Sequence, residues 1–272
     1  MKSLRSTLLT LTLIAGSSAG FACSILYYYD EESGAAFVAN NEDFWMDQKV
    51  DILIAPSKGD EYARLWYGWD DFAQGGVNEH GLFFDGAVTP EEKIPAGYGS
   101  PRGNLGGRIL SSCRTVEDVL SLLEAEKVAL MNAHMMVGDR SGNAVAIEWI
   151  DGERQLTWAV DRKLVMTNFL LAGSQQAADA CPRYQSIEKR IDAFRAEGEA
   201  ANLLRIGNFV GAAVQLPRPD GSGKTIGTLY STFIDLKKME LVYVPRLDSS
   251  KARKFDLNEV FSKKRGRKIK IR

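Results

Sequence analysis

Short runs of β-branched and aromatic residues, cut at close intervals by turns rich in glycine and aspartate, fill residues 24–88 and return at 133–167 and 227–244. Each such run leaves rows of backbone donors and acceptors that only a neighbouring strand satisfies, so the chain must build sheets. Residues 24–29 (SILYYY) and 35–40 (AAFVAN) flank Asp30-Glu31-Glu32-Ser33-Gly34 and predict a hairpin. Further strands are expected at 51–54, 62–67, 72–75 and 82–88, then at 133–138, 144–149, 155–160 and 163–167, with a last hairpin of 227–234 and 239–244. Thr115-Val116-Glu117-Asp118 reads as a helix start with an acid at its third position. Val119, Leu120, Leu122 and Leu123 then continue an amphipathic helix to about Glu126, and 184–196 and 199–214 are helical by periodicity. Two blocks of strands with helices between them predict an α+β fold in which helices cover two sheets. Residues 90–104, rich in Pro and Gly, form a loop long enough to carry function.

The ends of the chain differ from its body. Lys2 and Arg5 precede an apolar run, Leu8 to Ile14, too short to span a bilayer, and mostly small residues from Ser17 to Ala22 follow. We read residues 1–22 as a signal peptide, with a secreted or periplasmic product and no stable membrane insertion. Formal net charge is -1, but seven of the last ten residues are Lys or Arg; without these and the two basic leader residues the body carries about -10. The expected organisation is one domain over 23–250 and a disordered basic tail over 251–272. No basic stripe interleaved with aromatics runs through the body, which argues against a nucleic-acid partner. A homo-oligomer is compatible with this composition.

Several motifs carry no chemistry on inspection. Gly221-Ser222-Gly223-Lys224-Thr225 has the end of a phosphate loop, but Arg218 stands where its first glycine belongs and a strand follows instead of a helix. His80 and His134 sit in no metal-ligand pattern, so no metal and no organic cofactor are expected. Three cysteines allow a Cys113–Cys181 disulfide, or both free, with Cys23 as the odd one.

Cys23 stands immediately after the leader. Gly20 and Phe21 make a poor lipidation signal, which weighs against a lipoprotein. Cleavage after Ala22 would give Cys23 a thiol, with a pKa of about 8.5, and an α-amino group, with one of about 7.7–8.0. Near neutral pH that amine can take the thiol proton and later deliver it to a leaving group. Such a nucleophile needs a group to hold the amine, a cation to favour the thiolate, and donors for an oxyanion.

The order of motifs resembles the N-terminal nucleophile hydrolases of the choloylglycine hydrolase and penicillin V acylase superfamily, with the related acyltransferase and linear-amide hydrolase branch. The resemblance rests on Cys23-Ser24, Asn41-Glu42-Asp43-Phe44, Gly76-Val77-Asn78-Glu79-His80-Gly81-Leu82, Gly138-Asp139-Arg140-Ser141-Gly142 with the apolar run to Glu148, Thr167-Asn168-Phe169, Arg183-Tyr184 and Thr228-Leu229-Tyr230-Ser231. It implies a four-layer αββα sandwich with Cys23 as nucleophile on an inner strand. It further implies Asp43 as holder of the α-amino group, Asn168 as binder of substrate or oxyanion, and Arg183 as the cation near the thiolate. Asn40 stands where many members have arginine, and Ala87 or Val88 where the bile-salt and penicillin V enzymes place Asn or Tyr; substrate contacts are expected at Asn40, Asn41 and Val88. Phe44, Trp45, Trp66, Tyr67 and Trp69 suggest an apolar acyl pocket. The expected activity is hydrolysis of a linear amide in an N-acylated small molecule. An acyltransferase or dipeptidase on the same fold, or a non-catalytic exported binding protein or lipoprotein, are the alternatives.

Overall fold

The computed structural model describes residues 23–173 and 175–271, and the leader expected over 1–22 lies outside the described residues. The expected first hairpin forms from β1 (Ser24–Asp30) and β2 (Ala35–Trp45), with Ser24 opposite Asn41. A meander follows: β3 (Val50–Ala55), β4 (Arg64–Trp69), β5 (Phe72–Asn78) and β6 (Phe83–Val88). Helices α1 (Leu105–Ser112) and α2 (Val116–Ala125) lead to β7 (Ala133–Gly138), β8 (Ala144–Ile150), β9 (Glu153–Trp158) and β10 (Lys163–Met166). Then come α3 (Gln175–Ala180), α4 (Pro182–Glu197), α5 (Leu203–Gly211), β11 (Arg218–Pro219), β12 (Thr225–Asp235) and β13 (Glu240–Pro245). The chain closes with β14 (Arg253–Asp256), α6 (Leu257–Phe261) and β15 (Arg267–Ile271).

One sheet runs in the order β10-β1-β2-β12-β13-β14, with β11 beside β12; the other runs β15-β3-β4-β5-β6-β7-β8-β9. Alternation along the strands sends one set of side chains between the sheets and the other toward helices. Ile25, Tyr27 and Val38 meet Ile52, Leu65 and Met136 in the central layer. Leu26, Tyr28 and Phe37 pack outward against Ile187 and Ile191 of α4 and Phe209 of α5. Phe84, Val137 and Ile147 pack outward against Ile109 of α1 and Val119 of α2. The result is the expected αββα sandwich. The two sheets approach closely at Gly138, where a Cβ would stand 2.6 Å from the Tyr27 ring.

The helix start at Thr115 is as expected: its hydroxyl accepts from the Asp118 amide while the Asp118 carboxylate accepts from the Thr115 amide. Helix α1 was not expected, because Gly106-Gly107 lowers helix propensity. It is held by Asn104, whose side chain accepts from the Gly107 amide at 2.9 Å, and Gly106 lets it sit directly on Phe84. All three cysteines are free, so of the two alternatives for Cys113 and Cys181 the structure shows the unbridged one.

The disordered tail needs correction over its described part. Residues 253–271 supply β14, α6 and β15, and β15 pairs with β3 in register Ile269↔Ile52. Basic composition hid a period of two: Ile269 is buried in the central core and Ile271 packs against it, while Lys268 reaches Asp51 and Asp71 at 2.9 Å each. Among the described residues no helix is long and apolar enough to cross a membrane.

Candidate active site

Cys23 stands at the head of β1 and lines a cavity of about 360 Å³. The hairpin register carries β2 back past it, so that the Cys23 thiol donates to Glu42 Oε1 at 3.5 Å and accepts from the Asp43 amide. The thiol is pushed well above its ordinary pKa, first by burial and then by the carboxylates of Glu42 and Asp43. Asp43 is itself buried; Thr228 donates to its Oδ1 at 2.6 Å, while Oδ2 has no partner among the described residues. Burial pushes the Asp43 carboxyl up to about 8, against the pull of Thr228 and the charge of Arg183.

Arg183 enters from the first turn of α4. Its Nη1 donates to the Cys23 carbonyl at 2.5 Å and to Ser24 Oγ at 3.1 Å, and its Nη2 donates to Asn168 Oδ1 at 3.1 Å. Asn168 Nδ2 in turn donates to the Val88 carbonyl at 2.8 Å, which leaves its second hydrogen for another acceptor. The four residues implied as catalytic, Cys23, Asp43, Asn168 and Arg183, therefore converge on one end of the sandwich from four separate stretches of chain. Of these four, Cys23 lines the cavity, and Val88, 45% exposed, lines it too.

Asn40 and Asn41 do not line the cavity. Asn41 points to the helix side of its sheet, donating to the Val210 carbonyl at 2.8 Å and accepting from Ser231 at 2.7 Å. Asn40 points between the sheets, wholly buried, toward the Glu42 and Asp85 carboxyls without close hydrogen-bond geometry to either. Of the aromatic cluster, Phe44 and Trp69 line the cavity, joined by Phe72, Phe84, Leu105 and Leu130. Tyr67 is buried in the central core, Trp66 packs toward α1 and α2, and the Trp45 ring carries the Lys224 ammonium at 3.7 Å. The cavity passes Gln74 and Gly86, beyond the last pair of the β5–β6 ladder, Gly75↔Asp85, and so reaches residues of α1. Pro101, in the loop expected to be functional, borders it.

Residues 30–244 match the sequence profile of the acyl-coenzyme A:6-aminopenicillanic acid acyl-transferase family. The chain belongs to this family. Its fold is similar to that of conjugated bile acid hydrolase from Clostridium perfringens, with a TM-score of 0.74 at 15% identity over 92% of this chain and 97% of that one. It is similar also to penicillin V acylase from Agrobacterium tumefaciens, with a TM-score of 0.72 at 20% identity over 91% and 90%. The N-acylethanolamine-hydrolyzing acid amidase ortholog of Caenorhabditis elegans aligns with a TM-score of 0.53 at 12% identity over 88% and 97%. No curated protein sequence matches the chain.

Sequence reasoning passed over two buried acids in this family member. Glu42 shares the inner face of β2 with Ala36 and Val38, and Asp85 lies opposite on β6, accepting from Tyr67 at 2.9 Å and the Gly86 amide at 2.9 Å. Burial raises both carboxyls above their usual range, and the charge of Glu42 raises Asp85 further. The signal was available: an acid two residues beyond a buried asparagine on a strand's inward face. Asn78, in the glycine-flanked turn after β5, proves to be a turn builder. It accepts from the His80 and Leu82 amides and donates to the Leu110 and Cys113 carbonyls, while Gly81 supplies a φ of +75°. Among the described residues no cluster of His, Cys, Asp and Glu could hold a metal.

Proposed function

We propose that the protein is an exported cysteine amidohydrolase that cleaves a linear C–N amide bond of an N-acylated small molecule, with Cys23 as the first residue of the mature chain. The observation that carries this is the meeting of a cysteine thiol, the Arg183–Asn168 pair and an apolar cavity at one sheet end. Leader cleavage frees the Cys23 α-amino group. The unpartnered Oδ2 of Asp43 is an acceptor of the right charge for the resulting ammonium, which would also offset the acids around Sγ.

In the reaction, the neutral α-amine takes the Sγ proton and the thiolate attacks the amide carbon. The free hydrogen of Asn168 Nδ2 is a donor for the tetrahedral oxyanion. As the C–N bond breaks, the α-ammonium returns the proton to the departing amine, leaving a thioester on Cys23. The amine then takes a proton from water as its oxygen attacks the thioester carbon, the S–C bond breaks, the proton returns to Sγ, and a carboxylic acid leaves. The cavity walls of Phe44, Trp69, Phe84 and Leu105 suit an apolar acyl group.

The family to which the chain belongs is named for acyl transfer, and the same thioester resolved by an amine in place of water would be that reaction. Intact mass and N-terminal sequencing of exported protein test the mature terminus; acyl amides incubated with and without an added acceptor amine separate hydrolysis from transfer. Full hydrolytic activity in Cys23→Ala, or an active protein beginning upstream of Cys23, would sink the mechanism.

A further inference from the structure

His134 and Glu148, distant in sequence from the nucleophile and wholly buried, bond to each other at 2.7 Å through Nδ1 and Oε1. They face each other across the β7–β8 ladder, continuing the register Met136↔Ala146 and Met135↔Ile147. Both project between the sheets, where a polar pair has no local reason to be. What they hold is the segment that leaves β10. His134 Nε2 meets the Thr167 carbonyl at 2.6 Å; Glu148 Oε1 accepts from the Leu171 amide and Oε2 from the Ala172 amide, each at 2.8 Å. Asn168, between these anchors, reaches the Val88 carbonyl.

The segment over 167–172 thus departs from a strand of the first sheet and is stitched to β6, β7 and β8 of the second. Thr167 precedes the residue whose amide stands beside Arg183, so a shift of its carbonyl carries Asn168 with it. The hydrogen-bond inventory fixes one role: a carbonyl can only accept, so His134 Nε2 carries a hydrogen and donates to Thr167. One ring bridges the two sheets at the height of the cavity that it also lines.

We propose that His134 and Glu148 are positioning residues that clamp the 167–172 segment and thereby fix the Asn168 amide beside Arg183, which holds the Cys23 carbonyl. Loss of the clamp lets the amide wander by a fraction of its length, and misplacement of about 1 Å in a reacting arrangement costs about 10²-fold in rate. The kinetic arm of the test rests on the amidase reading, so a second arm reads the clamp without activity.

In the first arm, His134→Gln and Glu148→Gln are compared in the presence and absence of Asn168→Ala. A positioning role predicts that each lowers kcat about 10²-fold with little change in KM, and that neither lowers it further once Asn168 is gone. In the second arm, nitrogen-15 NMR of Cys23→Ala protein reads the His134 ring and the Asn168 side-chain amide. His134 Nε2 should carry hydrogen, and the Asn168 Nδ2 hydrogens should exchange at least tenfold faster in His134→Gln at an unchanged melting temperature. Equal losses with and without Asn168, a His134 Nε2 without hydrogen, or an Asn168 amide indifferent to His134→Gln would each overturn the assignment. An active clamp by NMR in a protein that hydrolyses no amide would refute the amidase reading and leave the clamp standing.

Discussion

Glu42→Gln removes a buried carboxylate 3.5 Å from the Cys23 thiol while keeping its shape. Burial is the largest cause of the raised thiol pKa and will persist in the variant; the charge of Glu42 is the next. At that separation two like charges interact by about 5 kcal/mol for an effective dielectric of about 20. This is a ceiling, because burial keeps Glu42 partly protonated near neutral pH, and a fall in the thiol pKa is the expected outcome. The assay is the rate of Cys23 alkylation by iodoacetamide against pH, in protein whose Cys113 and Cys181 are replaced by Ser so that a single thiol reports. The inflection should move to lower pH in Glu42→Gln. An inflection that stays, or that climbs, would show that the carboxylate does not face the thiol as charge to charge and would refute the electrostatic account of this site.

Asp43, raised by burial, binds a proton in the folded chain that the unfolded chain has released above about pH 4. In protein that retains a peptide bond before Cys23, stability should therefore fall as pH rises from about 4 to about 8. Asp43→Asn should flatten that slope in melting temperatures taken across the range. Arg183→Lys replaces a fork that serves Cys23, Ser24 and Asn168 by one point charge, and kcat should drop at least tenfold with the fold intact by circular dichroism. Val88→Trp changes a half-exposed cavity side chain and leaves the carbonyl that receives Asn168, so KM should rise for long acyl chains and hold for acetyl amides. Ile269→Asp puts a charge into the packed face of β15, and a loss of about 2 kcal/mol or more in urea unfolding is expected.

The sequence made the sheets legible because period-two runs and glycine turns are local signals, and the helix at Thr115 because a capping box is one too. Helix α1 was hidden by its paired glycines, which matter for their contact with Phe84 and not for their propensity. β15 was hidden by composition: counting lysines masked two isoleucines in alternation with them. At the site, Cys23, Asp43, Asn168 and Arg183 could be named from motif order, but their convergence depends on pairings between stretches that no spacing encodes. Asn41 was misleading because neighbouring strand residues face opposite ways, and motif membership does not say which way. Glu42 lay in plain view inside the same motif, yet its meaning needed the register that returns β2 to Cys23. His134 and Glu148 sit opposite one another on β7 and β8, and their bond to Thr167 crosses from one sheet to the other.

The placement of β12 between β2 and β13 governs when the protein could begin to act. Residues 225–235 complete the sheet that the first hairpin starts, Thr228 touches Asp43 across 185 positions of sequence, and Arg183 meets Cys23 across 160. Contacts of such separation form late, after most of the chain has been made and has collapsed. During synthesis the thiol therefore waits without its arginine, and Asp43 without its threonine. Order of assembly leaves the site incomplete until most of the chain is in place.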